Sequence, residues 1–131
     1  MNDRELIKRL KEATEGLLWL SESDYPWEVV YLEGASNLKS QLLEISNLDA
    51  DTTIETKELN DFFRQATTEK DWYDDAEKAE CQSYRELVEV LQYNLNDIKV
   101  YRLGETEVNC YVLGKTQSDA IAGLFTIAVE T

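Results

Sequence analysis

The sequence of 131 residues contains no histidine. Histidine is the usual proton shuttle near neutral pH and the commonest metal ligand, so Ser-His and Cys-His nucleophile pairs are excluded. A glycine-rich phosphate loop is also absent. With 27 acidic residues some pair of carboxylates always lies close, so a hydrolase that uses two acids is only a weak alternative. The sequence indicates a protein that is not an enzyme and needs no cofactor.

Cysteine and long apolar runs are scarce as well. Cys81 and Cys110 are the only cysteines, and their spacing matches no metal site. Both lie in apolar-periodic segments, which predicts buried, reduced thiols and a cytoplasmic location. Asp49-Ala50-Asp51 resembles the start of a calcium loop but lacks the required glycine and closing glutamate. The polar start of the chain and the lack of a long apolar run predict neither a signal peptide nor a membrane span.

Basic residues are outnumbered, since 13 Lys and Arg face 27 Asp and Glu and leave a net charge of −14. A nucleic-acid binder needs a basic face to neutralise phosphates, so direct binding of nucleic acid is not expected. Long-range attraction favours a basic protein partner instead. Many soluble proteins are acidic, however, and charge by itself promotes only solubility.

The length predicts one domain over residues 1–131. Apolar spacings of three and four predict helices over residues 3–20 and from Asp75 to about Leu95. Alternating apolar residues predict a strand from Trp27 to Glu33 with both faces covered. Three more strands, around residues 98–103, 108–113 and 121–129, are separated by short turns and are therefore antiparallel. These elements predict an α/β fold, an α-β-α sandwich with a mostly antiparallel central sheet.

The segment from Gly34 to Asp51 fits neither the helical nor the strand period. Gln41–Ser46 is predicted as a strand, and Thr56 as the cap of a short helix. The buried stripe of that helix is predicted to consist of Leu59, Phe62 and Phe63.

The stretch from Ala66 to Asp75 joins two adjacent aromatic residues, Trp72 and Tyr73, to a dense set of acids. One interpretation is a binding surface, because Trp is enriched at binding hot spots and a rim of acids selects a basic partner. The other is that Trp72 is a core anchor, with Asp74 and Asp75 complementing a helix dipole. The residues alone favour the two interpretations equally.

Two other features stand out as candidate contacts. Glu22 lies in a polar break before Tyr25-Pro26, where an ordinary solvent-exposed acid is the simpler interpretation. Thr131 directly follows the last predicted strand, which would hold its carboxylate in place, although a frayed end is the usual fate of a terminus.

Four stretches of the sequence resemble the cyanobacterial nuclease A inhibitor family, and together they span nearly the whole chain. They are Gly16-Leu17-Leu18 through Ser21-Glu22-Ser23 to Tyr25-Pro26; Phe62-Phe63 through Ala66-Thr67-Thr68 to Asp71-Trp72-Tyr73; Val100-Tyr101-Arg102-Leu103-Gly104-Glu105; and Val129-Glu130-Thr131. Members are small acidic proteins that block a sugar-non-specific endonuclease. The resemblance implies a sandwich like that of pathogenesis-related protein 1. The segment from Ala35 to Glu55 departs most from the family's pattern.

The resemblance also implies which residues contact the partner. In that family the inhibitor plugs the nuclease active site, and the catalytic magnesium takes part in the contact. The residues carried over are Glu22, Asp71, Trp72 and Thr131. Glu22 and Thr131 would approach the nuclease's Mg²⁺ through water, Trp72 would be the desolvated anchor, and Asp71 would pair with an Arg or Lys.

The function that this implies is stoichiometric inhibition, by a monomer that forms a 1:1 complex with a Mg-dependent endonuclease that cleaves DNA and RNA. The chain itself would hold no metal. The alternative is an acidic interaction or regulatory domain of the same fold with a non-nuclease partner.

Overall fold

The structure, a computed structural model, describes residues 2–20, 22–33 and 37–130, apart from the side chain of Leu20. The described elements are α1 Asp3–Thr14, β1 Leu18–Leu20, β2 Asp24–Pro26, β3 Glu28–Leu32, α2 Leu38–Ile45, β4 Ile54–Lys57, α3 Leu59–Phe62, α4 Arg64–Thr67, α5 Asp75–Asn94, β5 Asn96–Leu103, β6 Glu107–Lys115 and β7 Ile121–Val129. None of these helices is long and apolar enough to cross a bilayer.

A five-stranded sheet forms the centre of the molecule, in the order β3-β7-β6-β5-β4. Every neighbouring pair in it is antiparallel. The three consecutive strands predicted from the C-terminal third are therefore confirmed as antiparallel neighbours. Strands β1 and β2 form a separate antiparallel pair.

Helices cover both faces of the sheet. On one face α1 and α5 pack against apolar strand residues such as Val100, Val112 and Leu124. On the other face Leu42 and Leu43 of α2 pack on the opposite side of the same strands. The alternation in β3 follows this division, since Trp27, Val29 and Tyr31 belong to the first core and Val30 and Leu32 to the second. The fold is thus mixed α/β, with helices on both sides of an antiparallel sheet.

The first predicted helix is too long. It ends at Thr14, whose hydroxyl donates to the carbonyl oxygen of Leu10 at 2.8 Å. Gly16 then adopts a φ of +78°, a conformation that costs other residues a steric penalty. The chain reverses direction at Gly16 and enters the β1–β2 pair. The segment before Pro26, which was predicted as an irregular break, therefore contains the turn and the second strand of this pair.

Two short-range predictions in the middle of the chain are wrong. The predicted strand Gln41–Ser46 falls instead on α2, because the Asn37 side chain caps the N-terminus of this helix by accepting from the Ser40 N–H at 3.2 Å. Thr56 lies within β4, and the N-cap of α3 is Glu58. The predicted burial of Leu59, Phe62 and Phe63 agrees with the structure, in which Leu59 and Phe63 are buried and Phe62 is half-buried.

Asp3 connects the start of α1 to the sheet through three hydroxyl donors. Its carboxylate accepts from Tyr31 Oη at 2.7 Å, from Thr116 Oγ1 at 3.4 Å and from the hydroxyl of Ser118. The hydrogen bonds from Ser118 and Tyr31 lower the pKa of Asp3 below its ordinary value of 3.8, because they favour the charged form.

Replacing Asp3 by Asn is therefore expected to lower stability near neutral pH and to change its acid dependence. A carboxyl whose pKa is lowered by folding stabilises the native state above about pH 3.8, and this contribution disappears as pH falls through the lower folded pKa. Urea unfolding from pH 7 to 2.5 measures it. The gap between wild type and Asp3→Asn should close below pH 3.8, whereas Glu5→Gln, a neighbouring exposed acid, should show a small gap throughout. A pH-independent gap for Asp3→Asn would contradict this account.

Candidate protein-binding site

The loop between α4 and α5, residues 68–74, is anchored where it leaves α4. The Thr67 hydroxyl donates to the Phe63 carbonyl at 2.9 Å, and the Thr68 hydroxyl donates to the Arg64 carbonyl at 2.6 Å. From α5, Arg85 Nε donates to the carbonyl oxygen of Thr67 at 2.8 Å. The Arg64 and Thr67 carbonyls belong to the last turn of α4, where carbonyls lack partners within the helix, and these bonds fix the start of the loop.

The far end of the loop is fixed by a capping box. The Asp74 carboxylate accepts from the Glu77 N–H at 2.8 Å, and the Glu77 carboxylate accepts from the Asp74 N–H at 3.1 Å. Within the loop, the Tyr73 N–H donates to the Lys70 carbonyl at 3.1 Å. The loop is therefore held at both ends and in its middle. Asp74, which was predicted only to complement the helix dipole, also caps α5 with its side chain.

Trp72 projects from this anchored loop into solvent. Its side chain is 76% exposed, and its only ring contact among the described residues is an edge-to-face one with Tyr73, at a centroid distance of 6.4 Å. The interpretation of Trp72 as a core anchor is therefore wrong. Asp71 beside it is exposed and takes part in none of the ion pairs between described residues. A large aromatic displayed on a fixed loop beside an acid is typical of a protein-binding surface.

Glu22 lies in the turn between β1 and β2, with an exposed side chain. Its backbone N–H donates to the carbonyl oxygen of Val129, the last residue of β7, at 3.2 Å. This bond brings Glu22 beside the end of the final strand. Thr131 itself lies outside the described residues.

The end of β7 is held by a largely buried cation that no sequence motif singled out. Arg102 pairs with the carboxylates of Glu55, at 2.8 Å, and Glu130, and its side chain is only 14% exposed. Although burial opposes its charge, these two acids raise the pKa of Arg102. The Glu130 N–H also donates to the carbonyl oxygen of Thr106 at 2.7 Å. An arginine within a predicted alternating strand was the available sequence signal for this clamp.

A groove of about 620 Å³ connects the loop to this strand end. Its lining includes Tyr73 and Glu130, and the half-buried rings of Trp19 and Phe62 contribute to its floor. The two floor rings are stacked at a centroid distance of 4.7 Å and an interplanar angle of 10°. The groove therefore places the Trp72 loop and the end of β7 on one continuous surface.

The deeper wall of the groove is rigid because of Tyr84. Its hydroxyl donates to the Leu18 carbonyl at 2.6 Å and accepts from Trp27 Nε1 at 3.0 Å. Burial raises the pKa of Tyr84 to about 12, above its ordinary value of 10, and the neutral phenol donates its proton to the Leu18 carbonyl. Within the described part of the chain, no group of three or more Asp, Glu or Cys side chains is arranged to hold a metal ion.

Comparison with known proteins yields one family. The model of the family described as nuclease A inhibitor-like protein matches residues 4–131, nearly the whole chain. No curated protein sequence matches the chain. The matched range includes the Glu22 turn, the Trp72 loop and the last strand.

Proposed function

The chain belongs to the nuclease A inhibitor-like protein family, and from this premise we propose that it blocks the active site of a Mg-dependent, sugar-non-specific endonuclease. The observation that carries the proposal is the exposed Trp72 on its anchored, acid-flanked loop. Family membership supplies the class of partner, and the loop supplies a surface suited to binding one. We also infer from the resemblance that the sandwich is of the pathogenesis-related protein 1 type.

Trp72 is proposed as the central anchor of the complex. A fixed loop loses little conformational entropy on binding, so most of the energy from desolvating the indole would appear as affinity. Asp71 is proposed to pair with an Arg or Lys of the nuclease, where a charge-assisted hydrogen bond adds orientation. An active site that binds polyanionic substrates is rich in such cations.

Glu22 and Thr131 are proposed to face the nuclease's Mg²⁺. This ion prefers oxygen ligands and keeps several of its waters, so a carboxylate can accept hydrogen bonds from those waters in place of a phosphate oxygen. Two features support the pairing of these residues, namely the hydrogen bond from Glu22 to Val129 and the clamp of Glu130 by Arg102. Both restrict the segment that leads to Thr131.

The surface charge is proposed to accelerate association. The net charge is −14, and a positively charged cleft would attract it over a distance of about one Debye length, roughly 8 Å at physiological salt. Such steering raises the association rate more than the final affinity. We propose that the protein acts as a cytoplasmic monomer and forms a 1:1 complex.

Competition between the protein and nucleic acid tests the proposed mode of action. Cleavage of DNA and of RNA by a purified sugar-non-specific nuclease should fall in parallel as the protein is added. The apparent inhibition constant should rise linearly with substrate concentration, because substrate and inhibitor exclude each other. Inhibition that does not respond to substrate concentration would contradict active-site blocking. Full activity at a large excess of protein would favour the alternative of an acidic interaction domain with another partner.

Removing Thr131, or adding residues after it, is expected to weaken inhibition by roughly 30-fold or more. Loss of one partner from a desolvated, charge-assisted contact costs about 2–5 kcal/mol of binding, and about 1.4 kcal/mol corresponds to a factor of ten. Stability should change by well under ~1 kcal/mol, because the core residues of β7 are retained. Inhibition constants of the intact, truncated and C-terminally tagged proteins measure the effect. An N-terminally tagged protein is the control, and four equal constants would remove Thr131 from the site.

A further inference from the structure

The groove beside the Trp72 loop has an acidic lining. Among the described residues that border it, four carry carboxylates and two carry cations. Both cations are already neutralised, because Arg102 pairs with Glu55 and Glu130 and Lys57 Nζ lies 4.0 Å from the Glu55 carboxylate. The groove as a whole therefore favours a positively charged occupant.

Glu80 is the acid in this groove that is best placed to bind one. Asp61 pairs with Arg64, Glu77 serves the capping box and Glu130 pairs with Arg102. Glu80 is half-buried, and no ion pair or side-chain hydrogen bond reaches its carboxylate within the part of the chain that the structure describes. Its oxygens are free to accept from a ligand.

The floor suits the apolar stem of a basic side chain. Trp19 and Phe62 form a stacked aromatic pair beside the small residue Ala66. Arginine lays its stem along apolar surface while its head stays polar, and its planar guanidinium stacks on aromatic rings and binds carboxylates with two hydrogen bonds. Apolar floor, aromatic rings and an unpaired carboxylate therefore occur together in one groove.

The groove is continuous with the surface around Trp72. Tyr73 contacts Trp72 edge-to-face at 6.4 Å and also borders the groove. A partner that covers Trp72 therefore also covers the groove mouth. The volume of about 620 Å³ exceeds that of a single side chain, so the groove has room for a short segment of polypeptide.

We propose that this groove receives a basic segment of the nuclease, with an arginine side chain that reaches Glu80. The proposal rests on the proposed function and adds a second contact, separate from Trp72 and from the residues that face the metal. The arginine would balance a groove acid for which the described residues provide no ion-pair partner. Glu80 would thereby help to select nucleases that carry a cation at the matching position.

A comparison of Glu80→Gln with Glu89→Gln tests this contact. Both changes remove one negative charge from α5, so they alter the net charge of the protein equally. Glu89 is exposed and lies nine residues further along, about two and a half helical turns, on the opposite side of the helix. The proposal predicts that Glu80→Gln raises the dissociation constant about 10- to 100-fold through faster dissociation, whereas Glu89→Gln changes it by less than about two-fold.

A second variant tests occupancy of the groove independently of charge. Ala76→Trp places an indole in the groove from an exposed helical position, and it is expected to weaken binding about 10-fold or more with an unchanged melting temperature. If the wild type inhibits and both Glu80→Gln and Ala76→Trp bind like Glu89→Gln, the groove proposal is overturned and the proposed function stands. If the wild type itself fails to inhibit sugar-non-specific nucleases, the proposed function is overturned, and this proposal with it.

Discussion

Replacing Trp72 by Ala is expected to weaken inhibition of the nuclease by about 100-fold without unfolding the protein. Hot-spot aromatics at interface centres cost about 2 kcal/mol or more when truncated, and 100-fold corresponds to about 2.7 kcal/mol. The indole is 76% exposed, so the free energy of unfolding should change by less than about 0.5 kcal/mol. Inhibition constants and urea unfolding curves of the same preparations measure the two effects.

Tyr93→Ala is the matched control for Trp72. Tyr93 is 90% exposed and lies near the far end of α5, about 27 Å along the helix from its first residue. Tyr93→Ala therefore removes an exposed aromatic side chain that lies away from the proposed site. Equal inhibition constants for the wild type, Tyr93→Ala and Trp72→Ala would show that Trp72 is a surface residue without a role in binding.

Replacing Gly123 by Ala is expected to destabilise the fold by at least about 3 kcal/mol. A Cβ at this position in β7 would lie 1.8 Å from the carbonyl oxygen of Val112 in the neighbouring strand β6. Neither atom can move aside without separating two central strands, and overpacking of this kind costs roughly 1–3 kcal/mol even where side chains can adjust. Chemical unfolding of the variant measures the loss.

Gly16→Ala separates this clash from the general effect of replacing a glycine. Gly16 has a φ of +78°, and no atom lies within 4 Å of a Cβ built there. Only the backbone penalty applies, which is roughly 1–2 kcal/mol for a left-handed conformation. Similar losses at both positions would contradict the claim that β6 and β7 approach each other too closely for a side chain.

These two predictions separate binding from folding. Trp72 contributes almost nothing to the core, whereas Gly123 has no side chain to contact a partner. A Trp72→Ala variant that unfolds would mean that the loop depends on its indole. A folded, fully stable Gly123→Ala variant would mean that the register of the sheet can shift.

The sequence predicted the fold well where apolar residues recur at a regular spacing along a helix or strand. The stripe of α5 that contains Leu87, Val88 and Leu91 is buried as its spacing requires. The same is true of the alternation in β6, where Val112 and Leu113 face opposite cores. In these elements the local pattern and the tertiary packing agree. A one-residue slip of β6 would move every one of its side chains to the opposite face of the sheet.

The wrong predictions fall where a single residue decides the outcome. Asn37 starts α2 through one capping bond, and Gly16 ends α1 through one positive φ. Thr56 is an ordinary cap residue by type, but pairing with Tyr101 places it in a strand. The first two decisions rest on single local residues and the third on a contact distant in sequence, and periodicity contains neither.

The candidate site was predictable only in part. Aromatic and acidic residues around Trp72 favoured a contact surface and a core anchor equally, and the resemblance supplied the four site residues. The exposure of Trp72 depends on Arg85 and the capping box, and the groove arises where Trp19, Phe62 and the start of α5 meet. Residues brought together from three separate parts of the chain leave no local pattern in the sequence.

The most direct test of the central claim is a titration of nuclease activity at an enzyme concentration far above the dissociation constant. The protein is added in small steps to a purified Mg-dependent, sugar-non-specific endonuclease, and residual cleavage of DNA is measured at each step. The account predicts a linear loss of activity that reaches zero at one molecule of protein per active site. Activity that persists at a tenfold excess of folded protein, across several such nucleases, would contradict it.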